Sequence, residues 1–144
     1  MGTPSSIAIM NEDQTVTAIY CHWDGYLSHN GRKLNECYAT EELVRELIAG
    51  GDISSLGKRI TPTPGSGHSF VNSEDEVTVY YGRDRGNEGF EPATLPTVEA
   101  WLNSYAQEYN YLFVGGVWAV QSPAWSSGEF KQLDEALKDP ALVD

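Results

Sequence analysis

Tyr111-Leu112-Phe113-Val114, Gly115-Gly116 and Val117-Trp118-Ala119-Val120 form two strongly apolar runs separated by only two glycines. A two-residue loop between strands is favoured when both central residues can take positive φ, which glycine does at no steric cost. The segment therefore predicts a tight antiparallel hairpin, and so much apolar surface requires that hairpin to lie inside a sheet covered by other elements. A second pair of β-rich runs stands near the start: Ser6-Ile7-Ala8-Ile9-Met10 and Thr15-Val16-Thr17-Ala18-Ile19-Tyr20-Cys21, joined by Asn11-Glu12-Asp13-Gln14. Alternation puts Val16, Ala18, Tyr20 and His22 on one face and Thr17, Ile19, Cys21 and Trp23 on the other. Apolar side chains on both faces predict a central strand, covered on both sides.

Helical patterns fill the intervals. A helical stretch is expected near Gly31–Tyr38. A stronger helix runs over Glu41–Ala49, with Thr40 as N-cap, Glu41 and Glu42 at its positive end and Gly50-Gly51 as its stop. Val98, Trp101, Leu102, Tyr105 and Tyr109 recur at helical spacing and predict a helix over Thr97–Tyr109. Ser126 and Glu129 have the spacing of a capping box before a last helix, Glu129–Lys138. Glu76–Tyr81 is expected as a strand, Asp52–Gly57 as a loop or short turn, Thr61–His68 as a mobile Pro/Gly loop and Gly82–Pro92 as a long polar loop. The order implies one α+β domain over residues 1–144, with about five mainly antiparallel strands, three to four helices packed on them, and a C-terminal helix and tail over 123–144.

Composition bounds the function. The chain has 144 residues and a formal net charge of −12, with 8 acids and 5 bases in residues 1–72 against 13 acids and 4 bases in 73–144. Such a charge disfavours non-specific binding to nucleic acid or to an anionic membrane, though a local Arg pair can still hold a small anion because screening acts over about 8 Å. Nothing in the chain resembles a membrane span or a secretory leader, so a cytoplasmic protein is expected, and Gly2 with Ser6 matches a myristoylation pattern only formally. Cys21 and Cys37 form no disulfide framework, and their spacing with His22, His29 and His68 fits no zinc pattern. No metal or other cofactor is expected.

Two groups of residues carry candidate chemistry. Tyr20-Cys21-His22-Trp23-Asp24-Gly25-Tyr26 lies where a strand enters a turn. Its tyrosines offer ring faces and hydroxyls, Trp23 serves either core packing or stacking, and His22 is a structural histidine, a ligand contact or, with Asp24, a proton-transfer pair. No nucleophile, P-loop, G-x-S-x-G or H-E-x-x-H motif accompanies them, so no catalytic residue is assigned. Tyr80-Tyr81-Gly82-Arg83-Asp84-Arg85-Gly86 sets two guanidinium groups around an acid, a pattern that suits phosphate recognition or the balancing of nearby carboxylates. Ser54 and Ser55 add small polar groups in a turn.

In chain order, Ile19-Tyr20-Cys21-His22-Trp23-Asp24-Gly25-Tyr26, Gly51-Asp52-Ile53-Ser54-Ser55-Leu56-Gly57, Tyr81-Gly82-Arg83-Asp84-Arg85-Gly86 and the closing Tyr111-Leu112-Phe113…Trp118 resemble a family of small bacteriophage and prophage proteins over residues 6–120. Leu27 stands where that family usually has Pro, and both Thr61–Gly67 and the tail after Ser122 lie outside the resemblance. A phage setting implies an anti-defence role. One group of such proteins sequesters cyclic nucleotide immune signals, as the anti-CBASS and anti-Thoeris sponges do, and such sponges tend to be homo-oligomers. The expected ligand-binding residues are Tyr20, His22, Trp23, Tyr26, Ser54, Ser55, Arg83 and Arg85, with stacking and guanidinium–phosphate contacts as the physics. The alternative is an acidic inhibitor or DNA mimic directed at a host nuclease, restriction or CRISPR component, which requires a continuous acidic face. A nucleotide-degrading enzyme using His22 and Asp24 is a third, minor reading.

Overall fold

The computed structural model describes residues 3–123, 125 and 129–139. Strands β1 (Ser5–Met10) and β2 (Val16–Cys21) form the expected antiparallel hairpin, closed where Asn11 N–H donates to Thr15 O and Gln14 takes a positive φ of 68°. A π-helical turn over Leu27–Gly31 leads into helix α1 (Arg32–Cys37). Helix α2 (Glu41–Ala49) follows with the predicted boundaries, and the Thr40 hydroxyl accepts the Leu43 N–H as its N-cap. The remaining elements are β3 (Ile53–Ser55), β4 (Val79–Tyr80), α3 (Tyr81–Arg85), β5 (Ala93–Leu95), α4 (Val98–Tyr105), β6 (Tyr109–Val114), β7 (Val117–Gln121), β8 (Lys131–Gln132) and α5 (Leu133–Lys138).

Eight described strands share one sheet in the order β4-β3-β2-β1-β6-β7-β8, with β5 also paired to β2. The α+β class holds, but the sheet exceeds the expected five strands and is mixed, because β1–β6 and β2–β3 are parallel. Two- and three-residue strands such as β3, β4, β5 and β8 have no alternating pattern long enough to register in a sequence, and only pairing defines them. Asp52–Gly57 therefore contains a strand. The expected Glu76–Tyr81 strand shrinks to Val79–Tyr80, and the loop expected after it opens with α3.

The helix expected over Thr97–Tyr109 stops at Tyr105, because Ala106 turns extended and Tyr109 joins β6 opposite Ser5. Helical spacing at Tyr109 is thus overridden by a parallel ladder on β1. The last helix starts at Leu133, not Glu129, since Lys131 and Gln132 pair with β7. Its expected cap, Ser126, lies outside the described residues, as do Met1 and Gly2. The Gly115-Gly116 hairpin forms as expected, both glycines at positive φ (60° and 85°) and Phe113 opposite Trp118.

Both faces of the sheet are covered. Ile7, Ile9, Ile19, Cys21, Tyr111, Phe113, Trp118 and Val120 pack with Leu27, Leu34, Val44, Leu47 and Leu133 from the helices. Ala8, Val16, Ala18 and Leu112 pack on the other face against Trp101 of α4. Strand β2 is central, as its two-sided apolar pattern requires. The indole Nε1–H of buried Trp101 donates to Ser6 Oγ, so the ring settles without an unsatisfied donor. On this second face Tyr20 and His22 continue the row Val16–Ala18 along β2 and beyond its end.

Candidate functional site

The end of β2 is fixed by backbone. His22 N–H donates to Ile53 O and Trp23 N–H to Ser54 O, carrying the β2–β3 pairing past Cys21. Asp24 then turns with φ 58°, and Gly25 passes so close to Thr3 that a Cβ would sit 2.7 Å from its carbonyl oxygen. Asn30 Nδ2 donates to Trp23 O, Ser5 Oγ and Cys21 Sγ, locking the turn to the sheet. On this rigid edge Tyr20 Oη lies 2.8 Å from His22 Nδ1, and His22 meets Trp23 edge-on at 4.6 Å between centroids. His22 is therefore oriented by Tyr20. Trp23 is exposed, whereas Cys21 is buried and its thiol is pushed up to about 11 by that burial.

Beside Tyr20 the ladder has a gap. Strand β5 pairs with β2 as far as Ala18, and β3 begins to pair at Cys21. Asp52 fills the interval. Its Oδ1 accepts Tyr20 N–H at 2.9 Å, its own N–H donates to Phe90 O at 2.7 Å, and its carbonyl accepts Tyr81 N–H at 3.3 Å. Burial raises the Asp52 pKa from its ordinary value, opposed by the Tyr20 hydrogen bond. Gly51 permits this approach. It has φ 88°, and a Cβ there would lie 2.2 Å from Phe90 O.

From this junction an aromatic row extends outward. Tyr81 stacks on Phe90 (4.8 Å, 22°) and meets Phe70 at 5.5 Å. It is also an electrostatic neighbour of the Tyr20 hydroxyl, whose pKa is raised first by burial and then by Tyr81. The Arg85 guanidinium lies 4.9 Å from the Phe70 centroid and 5.9 Å from that of Tyr81. Arg85 makes no ion pair among the described residues, although the chain carries 21 acids. With Phe70, Ser69, Val71 and Asp84 it lines a cavity of about 510 Å³.

Arg83 is placed quite differently. Its Nε donates to Asp84 Oδ1 (2.8 Å), Nη1 to Ile60 O (2.6 Å) and Nη2 to Thr78 O (2.8 Å), while the group lies over the Tyr80 ring. Asp84 also accepts Tyr80 N–H and faces His68 Nε2 at 3.1 Å; both acidic and imidazole side chains are almost wholly buried. His68 Nδ1 accepts Glu74 N–H, which fixes the Nε2–H tautomer. Although burial opposes it, the hydrogen bonds from Arg83, Tyr80 and His68 carry the Asp84 pKa below the ordinary value. Arg83, His68 and Asp84 together pin the segment that carries Phe70.

Tyr20, His22 and Trp23 thus form one group and Arg85, Phe70 and Tyr81 another, and Asp52 joins their backbones by accepting from both Tyr20 N–H and Tyr81 N–H. The other expected site residues fall elsewhere. Tyr26 accepts from Thr3 Oγ1 and packs near His29 and Tyr109. Ser54 is nearly buried, with its carbonyl engaged by Trp23, and Ser55 pairs with Val79. Among the described contacts His22 and Asp24 form no hydrogen-bonded pair, and His22 Nδ1 instead faces Tyr20. Sequence reasoning misses Phe70, Phe90, Asp52 and His68 as site residues. The legible signal was a lone Phe in a Ser/Gly-rich stretch, an aromatic with no strand or helix partner in its own segment.

Comparisons of the chain with protein-family models, with curated proteins and with solved structures find no match. Among the described residues no three metal-ligating side chains converge, and no helix is long and apolar enough to cross a membrane.

Proposed function

We propose that this protein binds a small anionic nucleotide of the cyclic, immune-signal class and holds it without turnover, as a phage anti-defence sponge. The observation that carries the reading is Arg85: an ion-pair-free guanidinium held over Phe70 and Tyr81 at a cavity of about 510 Å³. A nucleotide presents a flat base and a phosphate, and stacked aromatics beside a guanidinium match both. Tyr20, His22 and Trp23 supply a second aromatic group, joined to the Tyr81 segment through Asp52, while Arg83 positions the loop and is spent within the protein. The phage setting and the cyclic class rest on the sequence resemblance. Retention without turnover is supported by the chemistry of the row, which offers faces and a fixed charge but no activated nucleophile.

The test is a thermal-shift panel of the purified protein with cyclic mono- and dinucleotides, cyclic ADP-ribose isomers and short DNA, followed by recovery of the ligand after heat denaturation. At about 100 times Kd, binding to the native state alone adds about 2.7 kcal/mol, a shift of several degrees. The expected result is a shift with intact ligand recovered. A converted product overturns the sponge in favour of an enzyme, and no shift with any nucleotide overturns the reading in favour of an acidic, protein-directed inhibitor.

A further inference from the structure

The Arg85 cavity, of about 510 Å³, is walled among the described residues by Ser69, Phe70, Val71, Asp84 and Arg85, so it presents one aromatic ring and one guanidinium. Phe70 N–H donates to Asp84 O at 3.1 Å, which ties the segment bearing the ring to α3, the helix bearing Arg85. The Asp84 carboxylate is occupied: Oδ1 accepts Arg83 Nε–H, while Oδ2 accepts Tyr80 N–H and faces His68 Nε2. Ser69 Oγ accepts the Asn72 N–H at 3.1 Å, which leaves the hydroxyl hydrogen as a donor. The wall therefore offers one ring, one open positive charge and one hydroxyl.

Charge limits what that wall can hold. Of the four Lys and Arg residues over 58–85, Lys58 pairs with Glu76, Arg59 with Glu74 and Arg83 with Asp84, and Arg85 has no ion pair among the described residues. Residues 69–92 carry six acids against two arginines, so a phosphate beyond the reach of Arg85 meets a field of its own sign. One guanidinium takes one phosphodiester in a bidentate, charge-assisted contact, and a second phosphate in the same ligand meets that repulsion without a partner. By liquid volume the cavity holds about seventeen waters, the scale of one base, one sugar and one phosphate. Resting on the nucleotide-binding reading above, we propose that the ligand is a cyclic mononucleotide, its single base on Phe70 and its single phosphodiester on Arg85. Cyclic dinucleotides and cyclic ADP-ribose, which carry two phosphates, are discriminated against.

The test is isothermal titration calorimetry of the full chain with cyclic AMP, GMP, CMP and UMP, their parent nucleosides, cyclic di-AMP, cyclic di-GMP and cyclic ADP-ribose. The expected result is that at least one cyclic mononucleotide binds at one per chain, at least tenfold tighter than its own nucleoside and than any ligand with two phosphates. Arg85→Gln is expected to shrink the preference for that cyclic mononucleotide over its nucleoside to less than twofold. A two-phosphate ligand bound as tightly or more tightly, at one per chain or one per two chains, overturns the proposal and leaves the nucleotide reading standing. A cyclic mononucleotide held no tighter than its nucleoside overturns the pairing of its phosphate with Arg85, and this comparison needs no variant. Binding of none of these ligands overturns the nucleotide reading itself, and the proposal with it.

Discussion

Arg83 and Arg85 are two residues apart and chemically identical, yet their tasks differ. Each donor position of Arg83 is committed to Asp84, Ile60 O or Thr78 O, whereas Arg85 meets only ring faces among the described contacts. Arg85→Ala is accordingly expected to weaken nucleotide binding at least tenfold, the loss of a cation–π and charge-assisted contact worth about 1.5–3 kcal/mol, with the melting temperature nearly unchanged. Arg83→Ala strips partners from two carbonyls and a carboxylate and is expected to destabilise the fold by about 1–3 kcal/mol. Paired calorimetric binding and thermal melts separate the two, and equal melting losses would contradict the division of labour. The sequence displayed both arginines but not this asymmetry, because which carbonyls lie within reach of Arg83 depends on the return of the Ile60 and Thr78 segments.

At the scale of elements, the loop between β3 and β4 is the part most dependent on ionisation. Glu74 accepts from Thr63 Oγ1 and Thr63 N–H and pairs with Arg59; the Thr63 bonds are the main reason its pKa falls to about 2 from an ordinary 4.5. Asp84 is likewise lowered from 3.8. A depressed carboxylate contributes order that is complete above its unfolded value and is lost as pH falls through the folded one. Asp52 has the opposite sign, since its raised pKa makes acidification a relief at the sheet junction. Limited proteolysis across pH is therefore expected to open residues 61–73 between about pH 4.5 and about 2, before the β1–β2–β6 core. Simultaneous opening of loop and core would refute it. Elements with long regular patterns were legible: the Glu41–Ala49 helix with its Thr40 cap and the Gly115-Gly116 hairpin appear where their residues demand. The short strands were not, because two or three residues carry no period and acquire strand geometry only from a neighbour's ladder.

For the whole molecule, charge and fold act on different ranges. A net charge of −12 repels a polyanion at every approach, so the protein is expected to show no retention on duplex DNA at physiological salt, and measurable salt-dependent binding in a gel-shift assay would contradict this. A small anion senses only the local field, screened within about 8 Å, and meets Arg85. What the sequence by itself determined was the α+β class, the two hairpins, the two-sided burial of β2 and the clustering of Tyr20, His22 and Trp23, since strand alternation and turn chemistry act between near neighbours. Tertiary structure alone decided that β1 pairs parallel with β6 across about a hundred residues of chain, that Asp52 caps Tyr20 N–H in the gap of the β2 ladder while bonding to Phe90 and Tyr81, and that Phe70 comes to rest on Tyr81 beneath Arg85. Those contacts join distant segments, and their energies come from burial and from satisfying backbone groups that no local pattern records.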